Sequence, residues 1–120
     1  MPAYVDGFVL PIAKRNIPAY RRMARAAAKI WFEHGALDYR ECVGEDLTPG
    51  YGVTFPTMAL AKKGETVVLA YVTYRSRAHR DRVNAKIMSD PRLQKMMQGK
   101  KMPFDVKRMA YGGFATIVGS

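Results

Sequence analysis

The sequence predicts an α+β domain in the order strand, helix, strand, strand, helix, strand. This is the split βαβ or ferredoxin-like arrangement, in which one antiparallel sheet carries both helices on one face. Three observations lead there. The apolar, β-branched run Thr66 to Tyr74 stops at Arg75 and feeds a helix that Ser76 can cap. Tyr20, Met23, Ala24, Ala27, Ile30 and Trp31 form a stripe at helical spacing between two strand-like runs. A last apolar run, carrying Tyr111, Phe114 and Ile117, closes the chain. With 120 residues, 48% of them hydrophobic, residues 1–120 form one domain. A chain of that length buries about two-thirds of its unfolded surface.

Ala3 to Ile12 reads as the first strand, with Tyr4, Phe8 and Leu10 on one side and Val5, Gly7 and Val9 on the other. Asp6 interrupts the first set and is expected to be paired or near an edge. Pro11 cannot donate to a ladder and ends the run. Asn16 is expected to cap the first helix, with Pro18 in its first turn and Gly35 as a left-handed stop after His34. The second strand, Leu37 to Val43, places Tyr39, Glu41 and Val43 on one face and Asp38, Arg40 and Cys42 on the other. An unpaired buried charge costs several kcal/mol, so Tyr39, Arg40 or Glu41 should face a cavity or a subunit boundary.

Glu45 to Glu65 is a long connection rich in glycine and proline, read as a loop with one helical turn near Phe55 to Ala61. Thr66 to Tyr74 is apolar on both faces, so something must cover each side of it. At about 100° per residue, the helix after Ser76 puts His79, Arg80, Val83 and Ile87 on one side. Asp90-Pro91 opens a shorter helix through Met97, closed by Gly99. Met102 to Asp105 is a loop, and Lys107 to Val118 is the last strand. Gly112-Gly113 within it implies a bulge or a close backbone approach. The methionines at 88, 96, 97, 102 and 109 read as gap fillers before pocket lining.

Twenty Lys and Arg against ten Asp and Glu give a net charge of +10. The surplus is spread over several segments, and no helix-turn-helix, zinc-finger or RNA-binding-sheet signature accompanies it, which disfavours nucleic acid as a partner. One cysteine, Cys42, excludes an intrachain disulfide, and with two distant histidines it offers no zinc-ligand spacing. A reducing cytoplasm fits that usage. The N-terminal apolar run is too short for a membrane span and has no basic segment before it.

Helices on one face leave the other face of an apolar sheet uncovered. A face-to-face homodimer is the simplest way to bury it. Each subunit then keeps a pocket between its helices and sheet, bounded by the start of the second helix. His79 and Arg80 stand there to bind a small anionic or carbonyl-containing ligand, helped by the helix dipole. Arg40 is expected among the ligand-binding residues, and Tyr39, Tyr74, Asp105 and Tyr111 as wall or proton-transfer groups.

The blocks Val5-Asp6-Gly7-Phe8-Val9, Glu33-His34-Gly35-Ala36-Leu37, Tyr39-Arg40-Glu41-Cys42, Ser76 to Asn84, Met102-Pro103-Phe104-Asp105 and Tyr111-Gly112-Gly113-Phe114 resemble the YbaA-like family of small bacterial proteins of unknown function. The resemblance spans nearly the whole chain. It implies the dimeric α/β-barrel superfamily, which includes cofactor-independent monooxygenases, haem-degrading enzymes and muconolactone isomerase. It implies a fold and a homodimer and supplies no catalytic residues. No cofactor is expected, because neither His34 nor His79 lies in a setting that argues for haem ligation. Alternatives to the pocket-bearing dimer, whether enzyme or binding protein, are a basic nucleic-acid-binding surface and a ligand-free stress or interaction dimer.

Overall fold

The computed structural model describes residues 3–98 and 102–119. Its elements are β1 (Tyr4–Ala13), α1 (Ile17–Glu33), β2 (Asp38–Val43), α2 (Phe55–Met58), β3 (Glu65–Tyr74), α3 (Arg77–Met88), α4 (Pro91–Met97) and β4 (Ala110–Ala115). The strands form one antiparallel sheet in the order β2-β3-β1-β4, the ferredoxin-like arrangement. β3 lies inside the sheet between β2 and β1, so both of its backbone edges are hydrogen-bonded.

Side chains alternate across each strand, so one face gathers Leu10 and Ile12 of β1 with Val68, Val72 and Tyr74 of β3. α1 covers this face with Tyr20, Ala24 and Ile30, and α3 with Val83 and Ile87. Each such aliphatic side chain contributes about 1.5–3 kcal/mol through burial. Three helix ends follow the sequence signals. The Ser76 side chain accepts from the His79 N–H at 3.1 Å, Asp90 accepts from the Arg92 N–H at 2.9 Å, and Gly35 stops α1 with φ +113°. His34 Nε2 lies 2.7 Å from Asp90 Oδ2, tying the end of α1 to the start of α4.

Other expectations change. Asn16 does not cap α1 through its side chain, because a 3-10 turn over Lys14–Asn16 leaves it in helical backbone. Its Nδ2 instead donates to the Pro103 carbonyl at 3.0 Å. The last strand is shorter than expected: a 3-10 turn at Val106–Arg108 precedes it and pairing ends at Ala115. Gly112-Gly113 makes no bulge, since the register with Gly7 and Asp6 is continuous. It is a close approach: a Cβ on Gly113 would lie 2.5 Å from the Tyr4 hydroxyl. The expected stop at Gly99 lies outside the described residues.

The opposite sheet face is covered only in part. α2 lies against β3, and Met58 and Leu60 share a cleft with Val9 and Ala110. At that end Val67 and Pro11 are buried. Farther along, Leu69 is 44% and Phe114 62% exposed.

Candidate functional site

A cavity of about 150 Å³ lies between the sheet, α1, α4 and the segment around Phe104. Its wall is almost wholly apolar, built from Phe8, Leu10, Trp31, Val72, Met96 and Met109 among others. Methionines expected as gap fillers therefore also line open space. A second, more open cleft of about 260 Å³ adjoins it across Phe8, Trp31 and Met109 and reaches Asp6, Asn84 and Tyr111.

The polar break in the apolar wall is Glu41. It projects from the helix-facing side of β2 between two tyrosines. Tyr20 donates to Oε1 at 2.6 Å and Tyr39 to Oε2 at 2.7 Å. Among the described residues, Glu41 has no cationic partner. Burial, together with hydrogen bonding to Glu41 and its charge, raises the Tyr20 hydroxyl far above the ordinary phenol range. Burial and the Glu41 charge do the same to Tyr39. Both phenols therefore keep their protons and act as donors.

The second polar cluster surrounds Asp6, which is 1% exposed. Arg80 Nη1 donates to Asp6 Oδ1 at 2.8 Å and to the Tyr111 hydroxyl at 3.0 Å, and Arg80 Nε donates to Asp81 at 2.8 Å. The guanidinium also lies 4.9 Å from the centre of the Tyr4 ring. Burial raises the Asp6 carboxyl above its ordinary value, opposed by the Arg80 charge and by hydrogen bonds from Asn84, Tyr111 and Tyr74. Burial and the Asp6 charge push the Tyr74 hydroxyl up.

The residues singled out from sequence thus separate. Arg80, Tyr74 and Tyr111 converge on Asp6, while Tyr39 belongs to the Glu41 cluster. His79 is 5% exposed and packs edge-on against Tyr74, its Nδ1 accepting from the Arg75 N–H at 3.0 Å. Burial and the nearby Arg75 and Arg82 charges lower its pKa, favouring the neutral ring. Its place is in the packing behind Arg80. Arg40 and Asp105 do not reach the cavity. Arg40 projects from the other face of β2 and pairs with Asp38 at 3.3 Å, because strand alternation sends it away from Tyr39 and Glu41. Asp105 is exposed and caps the 3-10 turn, accepting from the Lys107 N–H at 3.0 Å.

Asp6, Tyr20 and Glu41 are the polar residues that carry the two clusters. Tyr20 lies in an apolar stripe of the sequence, where the need of a buried phenol for a hydrogen-bond partner is its one signal.

Topology and packing define a ferredoxin-like α+β protein with an apolar chamber under its helices. The chain belongs to the family described as "Protein of unknown function (DUF1428)", which it matches over residues 3–106. It is 44% identical over 115 residues to "Uncharacterized protein YbaA" of Escherichia coli strain K12, covering 96% of this chain and 97% of that protein. The Shigella flexneri protein of the same description matches with the same values. Among solved structures, a dimeric ferredoxin-like protein from an uncultured marine organism aligns over 100% of both chains with a TM-score of 0.58 and 11% identity. That likeness is one of fold. Among the described residues no helix is long and apolar enough to cross a membrane, and no group of three or more His, Cys, Asp or Glu side chains is arranged to hold a metal ion.

Proposed function

We propose that the protein is a homodimer that binds a small, mostly apolar, hydroxyl-bearing molecule in the chamber beneath α1. The observation behind this is a carboxylate, Glu41, set in an apolar wall and held by neutral donors alone. Each carboxylate oxygen accepts one tyrosine hydrogen bond and keeps a lone pair for a further donor. A cavity of about 150 Å³ has room for a benzene-sized molecule. The ligand is thus one ring, or its alkyl equivalent, with a hydroxyl directed at Glu41. Arg80, the cation expected to meet an anion or carbonyl, has its charge matched by Asp6 and Asp81, so the Glu41 end serves recognition better.

Trp31 is the chain's one tryptophan and lines the chamber, so its emission reports occupancy. Adding 1-phenylethanol should change Trp31 emission saturably. Glu41→Gln should weaken that binding about tenfold, the scale of one hydrogen bond to a charged group, and leave ethylbenzene unaffected. An unchanged Trp31 signal up to the solubility limit of the alcohol rules the chamber out.

The dimer is supported by Leu69 and Phe114, which leave apolar area on the sheet face that α2 does not reach. Light scattering should give twice the chain mass, and Phe114→Glu should halve it. A single-chain mass at high concentration excludes this arrangement.

A further inference from the structure

Outside the Tyr20, Glu41 and Tyr39 cluster lies an open groove of about 270 Å³ between α1 and the edge strand β2. The same three residues line both this groove and the inner chamber. They form a partition between two spaces, and Glu41 is approached from either side. Ala24, Ala28 and Val43 give the groove an apolar floor without bulk, while Arg21 and Arg25 line it one helical turn apart. Both arginines are exposed, and among the described residues neither is in an ion pair. Like charges at this spacing repel each other, so an anion between them relieves the repulsion.

We infer that this groove is a carboxylate-binding doorway to the chamber, and that the ligand class is a hydroxy acid with a compact apolar tail. The inference rests on the chamber reading above and extends it. Arg21 and Arg25 hold the carboxylate, for which the guanidinium fork is geometrically matched. The neighbouring hydroxyl donates to a remaining lone pair of Glu41, beside the two tyrosines. The tail passes the partition into the apolar chamber beside Trp31. Charge matching favours a carboxylate over a phosphate. Two arginines and one glutamate leave a single net positive charge, which a monoanion neutralises, whereas a dianion would meet stronger repulsion from Glu41.

The experiment compares 3-hydroxy-3-phenylpropanoate, its methyl ester and 1-phenylethanol by calorimetry and Trp31 emission. It uses the full chain and its Arg21→Gln/Arg25→Gln variant, with far-UV circular dichroism checking that the variant is folded. In the unaltered protein the acid should bind about tenfold or more tightly than the ester, reflecting one or more charge-assisted contacts. The double variant should close that gap without changing 1-phenylethanol binding, and added salt should narrow it. An Arg21→Lys/Arg25→Lys variant should retain part of the preference. Equal binding of acid and ester, with 1-phenylethanol still bound, overturns the doorway and leaves the chamber standing. Acid binding that the double glutamine variant does not alter also overturns it. Absence of binding by all three compounds removes both.

Discussion

Asp6 and Glu41 are both carboxylates on the helix-facing side of the sheet, yet one is matched by a cation and the other is not. Asp6 is buried and neutralised by Arg80, with Tyr111 bound to the same guanidinium. Its charge is matched, and taking either partner away strands the other in a poorly solvated site. Glu41 is half-buried and is met by two phenols that donate hydrogen bonds but carry no charge. Its acceptor capacity is incompletely used, and it borders open space on two sides. The polar group with the richer network is therefore the one less able to receive a ligand.

Breaking the Asp6 pair should give the largest effect. Arg80→Met leaves a buried carboxylate without its cation and should destabilise the fold by about 3–5 kcal/mol in calorimetric unfolding. Replacing both partners by apolar residues should recover most of that loss; if it does not, the pair contributes more than charge compensation. Glu41→Gln should cost much less, about 1 kcal/mol in the same assay, because one tyrosine loses its acceptor and no charge is stranded. A loss as large as that of Arg80→Met would make Glu41 a structural residue too.

The smallest effect concerns Glu65, which sharpens the contrast from the surface. Hydrogen bonding to Arg108 pushes the Glu65 carboxyl from 4.5 down to about 2, through contacts of 2.8 Å to both oxygens. A lowered carboxyl pKa contributes stability above the unfolded value. That contribution is lost as pH falls from about 4.5 towards about 2. Urea unfolding across that window should show a shallower acid slope in Arg108→Gln than in the unaltered chain. Identical slopes would mean that this ion pair is too well solvated to matter.

Much of the framework was legible because it depends on neighbours in sequence. Ser76 caps α3 across three residues, Gly35 turns the chain where α1 ends, and the alternation in β3 already required cover on both sides. The helical turn in the long connection also appears, as α2. The site was legible only in fragments. Arg80 stood out as a polar group on a buried helix face, but its partner Asp6 lies 74 residues away. Asp6 itself read as needing a partner without indicating which. Tyr39 and Glu41 were placed on one strand face by alternation, whereas Tyr20, 21 residues from Glu41, looked like ordinary core.

By itself the sequence determined the order of elements, several of the helix ends and the face each strand and helix would bury, because these follow from local hydrogen bonding and the period of apolar residues. Only the tertiary structure decided which charges meet, which tyrosine hydroxyls clamp Glu41, and where packing leaves a void. Those outcomes depend on contacts between distant segments, and no local pattern in the chain encodes the distance between them.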